Sequence, residues 1–104
     1  MNNYYTYIVR CEDNSLYTGI TTDMDRRLRE HQEKGKLGAK YTHNHSVIGV
    51  EILFESSTRS LASKLEYAIK HLTKEEKETI IRTKSIDVLK DKLEIEEYKI
   101  VEKI

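Results

Sequence analysis

Glu66 is the residue whose type fits its position least. It lies four residues after Ala62 and three before Ile69, in the apolar stripe of a helical pattern whose other charges, Lys64 and Lys70, are off that line. A carboxylate drawn toward an interior costs free energy unless a cation, a metal or a donor compensates it. Arg27 could be that cation, and so could a divalent ion such as Mg²⁺, because carboxylate oxygen suits hard cations. Arg27 and His31 stand four apart and share a helix face with Met24 and Leu28, which brings both to the edge of a buried side. Arg26, Arg29, Glu30 and Glu33 project elsewhere. Tyr4, Tyr5, Tyr7 and Tyr17 crowd the opening of the chain and on residue type alone read as strand formers and core fillers. His43 and His45 flank Asn44 at a spacing that could hold a transition metal, but no further ligand set accompanies them and they read as a surface loop. His71 has no evident partner. Cys11, the single cysteine, excludes an intramolecular disulfide and a Cys-rich zinc site, and reads as a small buried hydrophobe in a strand.

These side chains need elements to position them. YYTYIVRC, residues 4–11, and LYTGIT, residues 16–21, are rich in aromatic and β-branched residues and predict two strands joined by the turn EDNS, hence an antiparallel hairpin. Thr22 or Asp23 is placed to cap a helix over about 24–34. Residues 35–46, with two glycines and several turn formers, read as a loop. VIGVEILFE, residues 47–55, predicts a third strand, and its nearly continuous apolar run implies cover on both faces. Thr58 caps a helix over about 59–72, with Leu61, Ala62, Leu65, Ala68, Ile69 and Leu72 as its stripe. Thr73 with Glu76 forms a capping box opening a helix over 74–83. Beyond Ser85, Ile86, Leu89 and Leu93 keep helical spacing, while EYKIVEKI alternates like a strand. The expected class is α+β, a small three-stranded, mainly antiparallel sheet flanked by helices. The domain is expected over residues 1–83, with 84–104 a charged tail packed on it or extending from it.

Composition narrows the functions. The 104 residues are enough for one core, and 38% hydrophobic residues with 18 basic against 18 acidic groups fit a folded chain rather than a disordered one. There is no proline, so Pro-rich recognition segments are excluded. No apolar run approaches the roughly 20 residues that span a bilayer, and MNNYYTYIV lacks the marks of a signal peptide, so a soluble, cytoplasmic protein is expected. The charge is uneven: residues 26–45 carry six Lys or Arg and two acidic residues in a chain of zero net charge. Such a cationic stretch suits an anionic partner.

Taken in order, Thr6-Tyr7, Tyr17-Thr18-Gly19, Arg27, His31 and a helix bearing Glu66 resemble the signature of the GIY-YIG nuclease superfamily. TYIVRCEDNSLYTGITTDMDRRLREH with GAKYT downstream is similar to the small stand-alone bacterial GIY-YIG proteins of an uncharacterised family. The resemblance spans about residues 4–81. It implies that Tyr7 is the tyrosine of the first half-motif, with Thr6 for its Ile and Tyr5 for its Gly, and that Tyr17 and Gly19 belong to the second, with Thr18 for Ile. It implies further that Arg27 faces the scissile phosphate, that Glu66 binds a single Mg²⁺ or Mn²⁺, that His31 is an active-site histidine and that Tyr41 lies near the site. Many active members carry a late Asn, whereas this chain has none after Asn44.

The implied activity is Mg²⁺-dependent hydrolysis of phosphodiester bonds in DNA, structure-selective or weakly sequence-specific. Arg27 would grip nonbridging oxygens with its planar fork, and Tyr7 or Tyr17 would orient or deprotonate water. A tyrosine near its usual pKa of about 10 is a poor base at neutral pH, so a cation nearby, from Lys40, His31 or the metal, would have to favour phenolate. Arg26, Arg29, Lys34, Lys36, Lys40 and Tyr41 would contact the nucleic-acid backbone, giving affinity without sequence reading. So short a chain leaves selectivity to a homodimer or a protein partner. The missing late Asn and the altered half-motifs motivate a noncatalytic nucleic-acid-binding module as the alternative. Zero net charge and the charged segment 74–104 motivate a protein-interaction module.

The hairpin carries a condition. If its loop held an even number of residues, Tyr7 and Tyr17 would face opposite sides of the sheet. A shared site therefore requires an odd loop or a bulge near residues 12–19, with Gly19 the expected point of relief.

Overall fold

Aromatic and β-branched residues fill Tyr4–Cys11 and Leu16–Thr21, and in the computed structural model of the protein, which describes residues 3–37 and 47–102 with side chains of 34–37 left aside, these are strands β1 and β2. They pair antiparallel with Tyr7 opposite Gly19 and Val9 opposite Tyr17. The Cys11 amide donates to the Ser15 carbonyl at 2.9 Å, which leaves the three residues 12–14 as the loop. The number is odd, so Tyr7 and Tyr17 fall on one face, as a shared site requires. The relief point is Asn14, with φ 71°, and not Gly19. Asparagine tolerates this left-handed conformation better than most residues. Asp13 braces the turn by accepting from the Ser15 amide at 3.0 Å and hydroxyl at 2.6 Å.

Helix α1, Met24–Leu37, follows. Of its two expected caps Asp23 is the one used, its Oδ1 accepting from the Arg26 amide at 3.1 Å. Strand β3, Val47–Ser56, pairs antiparallel with β1, with register shifts between Ile8 and Val9 and between Arg10 and Cys11. Helices α2, Arg59–Lys70, and α3, Lys74–Thr83, start at the expected threonines. Thr58 Oγ1 accepts from the Leu61 amide at 3.1 Å, and Thr73 and Glu76 complete the capping box reciprocally at 3.1 and 2.9 Å. α2 ends at Lys70 rather than Leu72 because the His71 and Leu72 amides turn back to the carbonyls of Ala68 and Ile69 in a tighter turn.

The expected three strands are four. The segment after α3 forms two short 3₁₀ turns, Asp87–Leu89 and Ile95–Glu97, in place of the helix its spacing suggested, and then a short strand β4, Lys99–Ile100. The order is β2-β1-β3-β4, antiparallel throughout. β4 covers part of the outer edge of β3, and the Val101 amide donates to the Leu53 carbonyl at 2.8 Å. An alternating apolar tail suits this place because an open strand edge presents unpaired backbone groups. Tyr98 ties the same segment to α2, its hydroxyl donating to the Leu61 carbonyl at 2.6 Å.

Both faces of β1 are covered. Ile8 packs with Ile52 and Phe54 against Leu65 and Ile69 of α2, Ile80 of α3 and Leu89. Tyr7, Val9 and Cys11 pack with Leu53 and Val47 against Met24 of α1. β3 is covered in this way at residues 52–54 but not at Ile48, which is 60% exposed. Thr6 adds a polar tether, its hydroxyl donating to the Ala62 carbonyl of α2 at 3.0 Å. Among the described residues no helix is long and apolar enough to cross a membrane.

Gly19 and Gly49 differ in what a side chain there would meet. A Cβ on Gly19 would overlap the Tyr7 hydroxyl and come within 2.6 Å of Cζ of a ring that is wholly buried. A Cβ on Gly49 would meet nothing within 4 Å. Gly19→Ala is therefore expected to destabilise by about 1–3 kcal/mol, as overpacking does. Gly49→Ala should be neutral or stabilise by up to about 1 kcal/mol through the unfolded state. Urea unfolding of the two variants beside the parent checks both, and equal effects would mean that the ring does not occupy the space above Gly19.

Candidate active site

Tyr7 lies at the centre. Its ring fills the space that Gly19 leaves on the neighbouring strand, and its hydroxyl, carried into the interior, needs partners to offset the loss of water. α1 supplies both. Arg27 Nε donates to the phenolic oxygen at 3.3 Å, and His31 Nε2 lies 2.8 Å from it. Arg27 and His31 can reach one atom because they are four residues apart on a helix whose Met24 and Leu28 turn the same side toward the sheet. Tyr17 completes a ring cluster, with its centroid 6.5 Å from that of Tyr7 and 5.3 Å from His31, while Tyr7 and His31 are 5.8 Å apart. The pairs with His31 meet edge to face, a favourable arrangement of their quadrupoles.

Arg27 is held at its other side by Glu30, Nη1 to Oε1 at 3.1 Å. Glu30 also lies 3.9 Å from Arg26 Nε. Glu30 projects away from the face of Met24 and Leu28, but its i,i+3 spacing from Arg27 was the signal for this pair. Five N–H donors belong to a guanidinium, so these two contacts leave donors over for a ligand.

Glu66 arrives from the opposite layer. α2 packs on the sheet face away from α1, but β2 is an edge strand, and at that edge α2 comes close to the tyrosine cluster. The Glu66 side chain is a quarter exposed, and its ion-pair partner is Lys70, at 3.4 Å, and not Arg27, which the sequence offered as one of two alternatives beside a divalent cation. Lys70 Nζ is also 5.9 Å from the centroid of the Tyr17 ring. Helical direction explains the difference: Lys70 is one turn along the same helix, and its long side chain folds back toward Glu66 although its Cα lies off the apolar line.

The electrostatics bear on which group can move a proton. Burial pushes the Tyr7 phenol above the ordinary tyrosine range. The hydrogen bond and charge of Arg27 draw it partway back, and Tyr17 and Glu66 push it up by smaller amounts. Arg27 is in turn held above its own ordinary value by the hydrogen bond to Tyr7 and, against the cost of burial, by Glu30. Tyr7 thus rests protonated at neutral pH. Because Arg27 is a donor only, the phenolic oxygen accepts from it, and the phenolic proton is left for His31.

The fate of the remaining expected residues is mixed. Arg26 lies near Arg27 through Glu30, whereas Arg29 is exposed and takes no part in the cluster. The side chains of Lys34 and Lys36, and Lys40, Tyr41, His43 and His45 altogether, lie outside the described residues. Cys11 is buried in β1, and burial raises its thiol. His71, which had no evident partner, stacks on Tyr67 at 4.1 Å between centroids.

Comparison with known proteins follows the same residues. A family model described as the GIY-YIG catalytic domain matches residues 3–79. The chain is 42% identical over 97 residues to the UPF0213 protein FN1575 of Fusobacterium nucleatum, spanning 93% of this chain and 94% of that protein. It is 46% identical over 81 residues to the UPF0213 protein YhbQ of Salmonella typhimurium, spanning 78% and 79%. The solution NMR structure of the UPF0213 protein BH0048 from Bacillus halodurans is 35% identical in sequence, covers 86% of this chain and 94% of that one, and superposes with a TM-score of 0.48.

The raised Tyr7 phenol sets a pH dependence. Above the usual tyrosine value of about 10 the unfolded chain releases a proton that folded Tyr7 retains. Stability that is full below that pH is therefore lost as pH rises through it. Tyr98, raised by its own burial, contributes in the same direction. In urea unfolding from about pH 8 to about pH 11, Tyr7→Phe should show a shallower decline than the parent, and parallel declines would refute the assignment to Tyr7.

Proposed function

The chain belongs to the GIY-YIG catalytic domain family, and from that membership and the clustered side chains we propose that it is a metal-dependent endonuclease. It hydrolyses phosphodiester bonds in DNA, selecting by structure or only weakly by sequence. The observation that carries the reading is the meeting of Arg27 and His31 on the Tyr7 hydroxyl, with Tyr17 against His31 and Glu66 at the same edge of the sheet.

Arg27 grips a nonbridging oxygen of the scissile phosphate with the donors that Tyr7 and Glu30 leave over, and so stabilises the charge that builds on it. Once the Tyr7 oxygen, buried at rest, is uncovered to the site, the nucleophilic water gives its proton to it as His31 Nε2 takes the phenolic proton. This relay removes the need for a resting phenolate, which burial of Tyr7 disfavours. Tyr17, edge-on to His31, keeps the imidazole oriented. The bond that breaks is the one from phosphorus to the leaving ester oxygen.

Glu66 is the residue that would hold the divalent cation. One partly exposed carboxylate fits Mg²⁺ or Mn²⁺ of the kind that keeps several waters and takes its other ligands from substrate phosphate. When bound, such an ion supplies charge neutralisation at the phosphoryl and leaving oxygens. Lys70 must release Glu66 for this, and its long flexible stem allows it.

The test is cleavage of labelled single-stranded, duplex, flap and junction DNA in Mg²⁺ or Mn²⁺. Parent protein should cut, Glu66→Gln and Arg27→Lys should each lose about 10²–10³-fold in rate, and the panel should name the preferred structure. Cutting that survives Glu66→Gln would overturn the site. Salt-sensitive binding by a parent that does not cut would favour the noncatalytic nucleic-acid module. No affinity for any of these at low salt would favour the protein-interaction reading.

A further inference from the structure

A cleft of about 280 Å³ opens beside the tyrosine cluster, lined by Tyr4, Ile20, Thr21, Arg26, Arg27, Glu30 and Arg59 among others. We propose that this cleft is a second phosphate subsite, in which Arg59 and Arg26 hold the backbone phosphate next to the scissile one. The proposal rests on the nucleic-acid reading above and adds to it a residue, Arg59, that lies outside the cationic stretch 26–45.

Charge makes the first argument. Three guanidiniums from two helices converge on the cleft against one carboxylate, and that carboxylate, Glu30, is already engaged by Arg27 at 3.1 Å and Arg26 at 3.9 Å. Arg59 makes no ion pair or side-chain hydrogen bond among the described residues, so the cleft carries a surplus of positive charge in a chain whose total is zero. A planar guanidinium fork can engage two oxygens of a backbone phosphate at once.

Local cost makes the second argument. Arg59 is the first residue of α2, where a cation opposes the helix dipole, and α2 has no acidic residue in its first turn to offset it. A charge kept where it disfavours its own helix, and facing a polar cleft, breaks a local rule in the way binding residues do. Continuity makes the third. Arg27 belongs both to this cleft and to the cluster around Tyr7, so a strand whose scissile phosphate meets one side of Arg27 runs directly into the reach of Arg59 and Arg26.

The experiment measures binding of a fluorescein-labelled DNA duplex in EDTA over a series of NaCl concentrations. The proteins compared are the parent, Arg59→Gln, Arg59→Lys and Arg82→Gln, an exposed control on α3. Loss of one phosphate contact should lower the slope of log affinity against log salt by about 0.9 and weaken binding roughly tenfold at about 0.1 M salt. Arg59→Gln should show both effects, Arg59→Lys should restore the slope, and Arg82→Gln should match the parent. In cleavage, Arg59→Gln should raise KM with kcat retained. Arg59→Gln with the slope and affinity of the parent would overturn the subsite while leaving the nuclease reading intact. A parent with no salt-dependent affinity would overturn the nuclease reading itself. Competition by inorganic phosphate against the parent but not against Arg59→Gln, with duplex affinity equal in the two, would mean that the cleft takes free phosphate and not the backbone, which also overturns the proposal.

Discussion

A wholly buried phenol must find hydrogen-bond partners, and much of this molecule is arranged around the answer to that requirement at Tyr7. The ring can enter the sheet interior only because the residue opposite it has no side chain, and the hydroxyl is acceptable there only because α1 brings a guanidinium and an imidazole to it. A side chain at Gly19 would clash with the ring, and removing Arg27 or His31 would take away one of the hydroxyl's two partners. The two contacts from α1 also tie that helix to the sheet, so the packing of one layer and the alignment of the reacting groups share a cause.

Position in the sheet explains why residues from both layers can share one locality. β1 is central and sends alternate side chains to opposite helices, with Ile8 toward α2 and Tyr7 toward α1. β2 is an edge, so a helix on one face can approach a ring on the other by passing that edge. Glu66 and Lys70 use this route to Tyr17. A tyrosine on β3 would have been screened from α2 by the whole width of the sheet.

Features decided within a few residues could be read from the order of amino acids alone. The hairpin and the starts of α2 and α3 at Thr58 and Thr73 follow from side-chain type and spacing, which allow either Thr22 or Asp23 as the cap of α1. The need for an odd loop or a bulge comes from the shared site that the resemblance implies for Tyr7 and Tyr17. The odd loop was legible as a need but not in its means, since Asn14 and Gly19 both offer backbone freedom and only the packed structure shows that Gly19 is spent on the Tyr7 ring. Ion-pair partners were less legible. On chemistry the compensating partner of Glu66 is open between Arg27 and a divalent cation, whereas its ion pair within the chain is with Lys70 on its own helix. Arg59 gave no local sign of belonging beside Arg26, because that neighbourhood exists only once α1 and α2 are docked on one sheet. In the tail the alternating end does supply the short strand β4, but Ile86, Leu89 and Leu93, which keep the spacing of a helix, are packed by 3₁₀ turns instead.

The far end of the hairpin is held by a different device. Arg10 forms a bidentate pair with Glu78 of α3 at 2.6 and 2.8 Å, while also reaching Glu51 of β3 and the Asn14 side chain at 2.7 Å. Lys74 donates to the Asn14 carbonyl at 2.5 Å. Arg10 is only 18% exposed, and a bidentate pair within a network of charges is the arrangement in which such ion pairs do contribute. Their consequence is cooperative. β2 has a single neighbour and would otherwise fray first, but its turn cannot open without breaking the bonds that tie Asn14 to Arg10 of β1 and to Lys74 of α3. Backbone amides of the hairpin should therefore exchange with solvent through the same opening event as those of α3, as one cooperative unit. The Tyr17 ring then stays in place until a large part of the domain unfolds.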